Sequence, residues 1–264
     1  ADSRVGAISF TGSTAVGKAI LRAAADQVKP VATELGGNDP MVVLEDADLE
    51  LAAREAVQSR LVANGQCCCA TKRILVSRSC HAELVGLIEA LLETITPDDP
   101  LKEPTRLGPL IDRSAWDRTA GELEELRQAG LDVPDLRSLA EPGFCPPILL
   151  RQVDRNHPLA RDLEIFAPVY PVIPFADEEE AIAIANASRY GLSGSVFSKD
   201  LAHALRVAQQ LETGQVVVNR SGLYRPDVLP FGGIKESGSA REGLDDSLLE
   251  FSRVKAISVP GLFS

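Results

Sequence analysis

The sequence predicts an α/β fold with a mostly parallel sheet and helices on both of its faces. Short apolar runs typical of buried strands alternate with helix-length segments, and short connections separate them. The alternation is clearest in the second half, where strands are predicted at about 169–175, 195–197 and 216–218. Parallel sheets usually place their sites at the carboxyl ends of strands, and Glu34, Glu164 and Asn219 lie in or near loops that could be such ends.

Four strands are predicted in the first half, at about 7–10, 31–33, 41–44 and 74–76. Helix starts are marked by Ser or Asp, because their side-chain oxygens can accept a hydrogen bond from a free first-turn amide. On this basis helices are predicted at about 15–25 after Ser13, from Asp46 to 61, from Ser79 to 92, and at 114–128. Pro, Gly and charged residues predict irregular structure at 97–113 and 132–147.

The second half contains three further predicted helices. Asp177 and Asp200 are predicted to cap helices that extend to about 188 and 212. A Gly-dense loop at 230–238 precedes a short helix at about 242–250. Alternating residue types then indicate a strand over 251–259, and such a terminal strand is a natural edge for pairing with another chain.

Composition and charge argue against several classes of partner. The 264 residues are 45% hydrophobic and 25% charged, and a net charge of −11 disfavours nucleic acid and anionic membranes as partners. No apolar run approaches the roughly 20 residues that span a bilayer. Five cysteines, three of them consecutive, do not suggest a disulfide framework, so a reducing, cytoplasmic location is expected.

The Gly-Gln-Cys-Cys-Cys-Ala run at 65–70 is the strongest candidate for chemistry. A Cys nucleophile needs a thiolate, and an unperturbed thiol has a pKa near about 8.5, so a base or a positive charge must assist it. The three histidines lie in helix or loop contexts, which leaves Glu34, directly before a Leu-Gly-Gly run, as the candidate base. Zinc binding is the rival interpretation. It is disfavoured because adjacent cysteines are not expected to point to one tetrahedral centre and no Cys-x-x-Cys spacing is present.

Residues 7–18 combine a strand, a glycine turn and a helix start. This arrangement is a generic anion site, because a helix N-terminus offers unpaired amides and a partial positive charge. Residues 12–18 also fit the first seven positions of a phosphate-binding loop. The eighth position is Ala19, which has no hydroxyl for Mg²⁺, so that interpretation fails.

Five runs together resemble the aldehyde dehydrogenase superfamily. They are Phe-Thr-Gly-Ser-Thr-Ala-Val-Gly at 10–17, Glu-Leu-Gly-Gly at 34–37, Asn-Gly-Gln-Cys-Cys-Cys-Ala at 64–70, Glu-Ile-Phe-Ala-Pro-Val at 164–169 and Pro-Phe-Gly-Gly-Ile-Lys-Glu-Ser-Gly at 230–238. The runs occur in that family's order and spacing, and the resemblance covers nearly all of the chain. Each run alone is moderately specific, and the set is highly specific.

The resemblance implies a role for each matching position. Cys68 matches the catalytic thiol, Glu34 the base that activates a deacylating water, and Glu242 a second acidic residue on the proton route. Contacts with NAD or NADP are implied for Gly12, Ser13, Leu35, Gly36, Glu164 and Phe166; no metal is implied. The implied reaction oxidises a small aldehyde through a thiohemiacetal and a thioester on Cys68, whose backbone N–H is one oxyanion donor.

The resemblance also implies a domain organisation. Residues 1–36 would be a remnant of the dinucleotide-binding domain, 37–236 the catalytic domain, and 237–264 a returning loop with an oligomerisation strand. Members of the family are much longer, so an N-terminal half holding most of the cofactor pocket and one oxyanion donor is expected to be missing. The chain alone is therefore expected to be weakly active or inactive, and to pair as a homo-oligomer or with a separate N-terminal half. The alternative is a truncated non-redox protein, either a thiol esterase or an interaction or regulatory module.

Two positions depart from the family pattern. Ala167 and Ala240 stand where glycine is common, and a positive φ at Ala240 would rearrange the loop that carries Glu242. The Asn-Asp-Pro run at 38–40 hints at the branch of the family that acts on small hydroxyaldehydes or semialdehydes.

Overall fold

Within residues 2–139 and 143–261, which the computed structural model describes, the chain forms ten strands and seven α-helices. The strands are β1 (Ile8–Thr11), β2 (Val31–Glu34), β3 (Pro40–Val43), β4 (Arg73–Ser77), β5 (Ile148–Leu150), β6 (Val169–Phe175), β7 (Tyr190–Gly191), β8 (Ser193–Phe197), β9 (Gln215–Val218) and β10 (Ile234–Lys235). The helices are α1 (Thr14–Ala25), α2 (Leu49–Leu61), α3 (His81–Leu92), α4 (Arg113–Gln128), α5 (Glu178–Asn186), α6 (Leu201–Ala208) and α7 (Leu244–Glu250). The predicted ranges 1–36, 132–147 and 237–264 each include residues outside this description.

Six strands form one parallel sheet in the order β5-β6-β4-β3-β8-β9. β3 lies inside the sheet, with Met41 opposite Ile74 of β4 and Ser195 of β8. Parallel neighbours need crossover connections, and α2 and α6 supply two of them, from β3 to β4 and from β8 to β9. β7 and β10 form a small antiparallel pair. The predicted mostly parallel sheet is confirmed.

Helices cover both faces of this sheet because successive strand side chains point to opposite sides. On β3, Met41 and Val43 pack in one apolar cluster with α2 and α3. Val42, on the other face, packs with residues of α4, α5 and α6. Both faces are therefore buried, as near-continuous apolar strands require. Among the described residues, no helix is both long and apolar enough to cross a membrane.

The first two strands form a separate two-stranded parallel sheet. α1 connects them, and Ser13 caps it as predicted, its Oγ accepting the Val16 N–H at 3.4 Å. β2 continues through residues 35–39 into β3, and the Leu35 N–H donates to the Ser237 carbonyl at 2.8 Å. The carboxyl end of the small sheet therefore meets the amino end of the large sheet.

Two predicted helix starts were wrong. Asp48 caps α2, because its Oδ1 accepts the Leu51 N–H at 3.0 Å. The Asp46 carboxylate instead accepts from the Ser198 hydroxyl at 2.8 Å, beyond the end of β8. Cys80, rather than Ser79, directly precedes α3. The Ser79 hydroxyl hydrogen-bonds that of Ser77 at 2.9 Å, and no side chain caps the first turn of α3.

The terminal segment does not form the predicted strand. Residues 252–259 are neither helix nor strand, and Val254 and Ile257 are 101% and 78% exposed. A strand requires a hydrogen-bonded neighbour, and no described part of the chain runs alongside this segment in a ladder. Pairing with another chain stays a prediction. α7 starts at Leu244, later than predicted, because the Glu242 backbone bridges to Phe231.

Arg73, the first residue of β4, is buried and binds several segments together at the amino end of the large sheet. It is 1% exposed and donates to four backbone carbonyls, namely those of Asn38, Ala160, Ile184 and Ala185, at 2.6–2.9 Å. These bonds connect the segment before β3 to α5 and to the loop before β6. A guanidinium suits this position because its planar fork presents several donors at once.

Replacement of Arg73 by Met is expected to lower the free energy of unfolding by about 3 kcal/mol or more, because several buried carbonyls lose their donors. Arg78→Met is the matched control, since Arg78 is 66% exposed and lies 4.0 Å from Glu180. Its expected loss is below about 1 kcal/mol. Urea unfolding of both variants measures the difference, and equal losses would contradict this role for Arg73.

Candidate active site

The cysteine run and Glu164 lie at the amino ends of strands of the large sheet, so the prediction of a carboxyl end was wrong for Glu164. The cysteine run precedes β4, and Glu164 precedes β6. Glu34 does end a strand, but that strand is β2 of the small sheet. Asn219 follows the carboxyl end of β9, as predicted, but on the other side of the large sheet from Glu164. There its side-chain amide bonds the N–H and C=O of Ser198 at 3.0 and 2.9 Å. The carboxyl end of the small sheet meets the amino end of the large sheet, so residues from opposite kinds of strand end share one site.

Three residues with left-handed backbone conformation directly precede the cysteine run. Ala63, Asn64 and Gly65 have φ values of 47°, 57° and 75°. At Gly65 a Cβ would lie 2.4 Å from the Ala167 carbonyl oxygen, so only glycine fits. The Asn64 side chain fixes the loop by accepting the Gly108 N–H at 2.9 Å and donating to the Pro109 carbonyl at 2.7 Å.

The three consecutive thiols lie together. A turn over residues 67–70 bonds the Ala70 N–H to the Cys67 carbonyl at 3.3 Å. All three Sγ atoms lie within 4.8 Å of one another, and those of Cys67 and Cys69 are 3.7 Å apart. The turn gathers the three side chains on one side, so their adjacent positions in the sequence do not keep these sulfurs apart. All five cysteines, each in the described ranges, are free.

Hydrogen bonds within this cluster set its protonation. Bonds from the thiols of Cys68 and then Cys69 lower the pKa of Cys67. The bond to Cys67 is the main cause that raises the pKa of Cys68, and bonds to both neighbours raise the pKa of Cys69. The cluster therefore stabilises its first thiolate and resists a second, and that charge belongs to the coupled group.

Lys72 links the cysteine turn to Glu164. Its side chain is 2% exposed, and its Nζ donates to the carbonyls of Cys67 at 3.0 Å and Cys68 at 2.5 Å. The same Nζ lies 3.2 Å from Glu164 Oε1 and 5.6 Å from the centre of the Phe166 ring. No role was predicted for Lys72, because a Lys beside an Arg before a strand gives no sign of burial.

Glu164 lies against the glycine pair that follows β2. Its Oε1 accepts the Gly37 N–H at 3.2 Å, and a Cβ at Gly36 would lie 2.4 Å from its Oε2. Gly36 is therefore needed for this close approach. Arg60 holds the loop after Glu164 by donating to backbone carbonyls, namely those of Ile165, Ala167 and Val169.

A cavity of about 630 Å³ joins these features. Its wall contains Cys68 and all six predicted cofactor contacts, namely Gly12, Ser13, Leu35, Gly36, Glu164 and Phe166. Five further residues, to which the sequence analysis gave no role, also line it: Thr11, Gln66, Cys67, Arg118 and Glu122. Arg118 and Glu122 project from α4, one helical turn apart, and desolvation raises the pKa of Glu122 to about 7. Polar residues at i and i+4 on an amphipathic helix are the one signal that could have indicated them.

Glu34 is not among the residues that form the wall of this cavity. It is 6% exposed, and its Oε1 has no hydrogen-bond partner among the described residues. Desolvation and, second, the negative charge of Glu242 together raise its pKa to about 8. The structure thus brings Glu34 and Glu242 near each other, whereas no hydrogen bond in the described ranges joins Glu34 to Cys68.

Glu242 is held by an ion pair with Arg225 at 2.8 Å. Ala240, two residues before it, is not among the described residues with positive φ, so alanine is accommodated there without backbone strain. The buried Ala167 likewise keeps ordinary backbone, and its carbonyl accepts a bond from Arg60.

Comparison with known proteins shows that the resemblance to aldehyde dehydrogenases covers nearly the whole chain. The sequence profile of the aldehyde dehydrogenase family matches residues 1–257. Mitochondrial succinate-semialdehyde dehydrogenase of Mus musculus is 40% identical over 264 residues, which cover 99% of this chain and 50% of that enzyme.

Two solved structures share the fold. Glyceraldehyde-3-phosphate dehydrogenase of Methanocaldococcus jannaschii, complexed with NADP, superposes with a TM-score of 0.89 at 36% identity, over 96% of this chain and 54% of that one. Betaine aldehyde dehydrogenase of Staphylococcus aureus, in complex with NAD⁺, superposes with a TM-score of 0.87 at 33% identity, over 94% and 50%. The chain spans about half the length of these relatives. Since sequence profile, identity and fold agree over nearly all of its residues, the chain belongs to the aldehyde dehydrogenase family.

Proposed function

We propose that this chain carries the catalytic half of an NAD(P)⁺-dependent aldehyde dehydrogenase, with Cys68 as the nucleophile. The observation that supports this most is the cavity of about 630 Å³, whose wall joins Cys68 to all six predicted cofactor contacts. A volume of this size suits a small-molecule site. The substrate is a small aldehyde.

The cavity wall fits the nicotinamide half of a dinucleotide. The N-terminus of α1, capped by Ser13, suits a phosphate group, because its first-turn amides carry a partial positive charge. Glu164 offers a carboxylate for ribose hydroxyls, and the absence of a Cβ at Gly36 leaves room beside it. When bound, NAD(P)⁺ supplies the acceptor for the hydride that leaves the aldehyde carbon.

The chain's own residues carry the covalent steps. The Cys68 thiolate attacks the aldehyde carbon, forming a C–S bond and an oxyanion. No described hydrogen bond uses the Cys68 backbone N–H, so it can donate to that oxyanion. Loss of hydride leaves a thioester on Cys68. A water whose proton passes to Glu34 then attacks the thioester, releasing a carboxylic acid and the thiolate.

Glu34 must be ionised to accept that proton. Because desolvation and Glu242 raise its pKa to about 8, the rate of thioester hydrolysis is expected to rise as pH increases through about 8. Glu242→Gln removes a repulsive charge, so the pKa of Glu34 falls and the midpoint moves to lower pH. Stopped-flow hydrolysis of an acyl-enzyme made from a p-nitrophenyl ester measures both profiles.

Glu50→Gln is the control for this pH profile. Glu50 lies on the exposed side of α2, 3.5 Å from Arg54. Its replacement is expected to leave the midpoint unchanged. A rate that does not respond to pH near 8, or a midpoint raised by Glu242→Gln, would contradict Glu34 as the base.

Single-turnover NADH formation tests the dehydrogenase proposal. The 264-residue chain, in excess over succinic semialdehyde and with saturating NAD⁺, is expected to produce NADH slowly and only when Cys68 is intact. Slow turnover is expected because the chain spans about half of its relatives, and loss of one oxyanion donor alone costs about 10²–10³ in rate. NADH formation that persists in Cys68→Ala would contradict the proposal. Fast, multiple-turnover catalysis would contradict only the expected need for an N-terminal half.

Thiol-dependent ester hydrolysis is a second candidate function. Cys68, its N–H and the supporting Lys72 all lie within this chain, and acyl transfer needs no nicotinamide. Hydrolysis of p-nitrophenyl acetate that depends on Cys68, without any NADH formation, would favour this alternative.

We also propose self-association through residues 251–259. Phe251, Val254 and Ile257 are 61%, 101% and 78% exposed, which supports an apolar contact with a second copy or with a separate N-terminal half. Gel filtration of the chain is expected to give a mass above that of the monomer. A monomeric mass would count against self-association.

A further inference from the structure

The three-thiol cluster has the geometry of a metal site. We propose that Cys67, Cys68 and Cys69 together bind one Zn²⁺ ion. Zinc–sulfur bonds of about 2.3 Å in a tetrahedral site place neighbouring sulfurs about 3.8 Å apart. The sulfurs of Cys67 and Cys69 are already 3.7 Å apart, and the third lies within 4.8 Å of both. A movement of about 1 Å at the third sulfur is enough to complete a three-sulfur set at tetrahedral spacing.

The local backbone makes this set possible despite its unusual spacing. Zinc sites usually take cysteines two or more residues apart, because consecutive side chains of a strand diverge. Here the turn over 67–70 gathers three consecutive side chains on one side. Cys67 and Cys68 line the cavity, so water can occupy the fourth position of a tetrahedral ion.

Charge also favours the complex. Three thiolates and one Zn²⁺ carry a net charge of −1, and binding releases the protons of those thiols that were not ionised. The ammonium of Lys72 lies beside this anion, since it bonds the carbonyls of Cys67 and Cys68 and is 2% exposed. This ammonium also pairs with Glu164 at 3.2 Å, so only part of its charge is available to offset the desolvation of the monoanionic complex.

A bound zinc ion would be coordinated by the sulfur of Cys68. The lone pair that attacks a carbonyl carbon would then be held in the Zn–S bond, so zinc and an electrophilic substrate would compete for one sulfur. This consequence rests on the proposed function, whereas metal binding does not. The cluster would make the site sensitive to free zinc, reversibly on chelation.

Cobalt substitution tests the site without any substrate. The reduced full chain, titrated with Co²⁺, is expected to show thiolate-to-cobalt charge transfer in the near ultraviolet that saturates at one ion per chain. Zn²⁺ should displace the signal. Ser substitution at Cys67, Cys68 or Cys69 is expected to weaken Zn²⁺ binding at least about 10-fold, measured against a chromophoric chelator.

Cys80→Ser and Cys145→Ser are the matched controls, because both thiols are buried and lie outside the cluster. They are expected to leave the Zn²⁺ affinity and the cobalt spectrum unchanged. Absence of thiolate charge transfer, or Zn²⁺ binding that survives Cys67→Ser and Cys69→Ser, would overturn the proposal. Because no catalytic step is measured, this failure is distinct from loss of Cys68-dependent NADH formation.

Discussion

Cys68→Ala is expected to reduce ester hydrolysis and NADH formation by at least about 10³-fold, the largest effect of any single substitution in this chain. Cys67 and Cys68 both line the cavity, but only Cys68 matches the nucleophile of the family pattern, and no hydrogen bond among the described residues uses its backbone N–H. Alanine removes the attacking sulfur and leaves the turn intact. Steady-state hydrolysis of p-nitrophenyl acetate and single-turnover NADH fluorescence measure the loss.

The other thiols separate nucleophilic attack from a general effect of cysteine loss. Cys145→Ala removes a buried thiol outside the cavity and is expected to retain full activity. Cys67→Ala removes the thiol whose hydrogen bond raises the pKa of Cys68, so it changes the pH dependence of attack without abolishing it. An activity that survives Cys68→Ala but not Cys67→Ala would transfer the nucleophile assignment to Cys67.

Lys72→Met is expected to be the most damaging substitution that leaves every predicted catalytic residue in place. It removes the only hydrogen-bond donor to the Cys68 carbonyl among the described residues, and it removes the ion-pair partner of Glu164. Breaking a buried pair leaves an uncompensated charge, so the free energy of unfolding is expected to fall by about 3–5 kcal/mol. Urea denaturation measures the loss, and calorimetric titration with NAD⁺ is expected to show weaker binding, because Glu164 loses its anchor.

Lys18→Met is the matched control for this effect. Lys18 also forms an ion pair, with Glu236 at 2.7 Å, but its side chain is 41% exposed. Its replacement is expected to cost less than about 1 kcal/mol. If Lys72→Met were as mild as Lys18→Met, the link between the cysteine turn and Glu164 would not support the site.

The parallel character of the sheet and its cover of helices were readable from the sequence because the signals for individual strands and helices are local. Apolar runs such as 41–44 and 74–76 have few alternatives because polar or charged residues, or a proline, border them on both sides. The residue that caps each helix was harder to predict. Asp46 and Asp48 are equally good caps by type, and only the position of Ser198, about 150 residues away, decides that Asp46 bonds there. The strand β5 was missed because three residues after an irregular segment give too short a pattern.

The candidate site was predictable where the chemistry depends on residue type, and not where it depends on distant packing. The cavity contains every predicted cofactor contact, because those positions came from continuous motifs. The role of Lys72 could not be predicted, since its partner Glu164 is remote in sequence and brought close only by the β4–β6 pairing. The clustering of the thiols also depends on the turn after Gly65, which sequence spacing does not reveal.

Trapping the acyl-enzyme tests the central assignment most directly. The chain is mixed with p-nitrophenyl acetate, quenched in acid and digested with trypsin, which releases residues 61–72 with all three thiols in one peptide. Fragmentation in the mass spectrometer then assigns the acetyl group to one residue. The expected result is an acetyl group on Cys68 that is absent from Cys68→Ala. An acetyl group on Cys67, Cys69 or any residue outside this peptide would contradict the assignment.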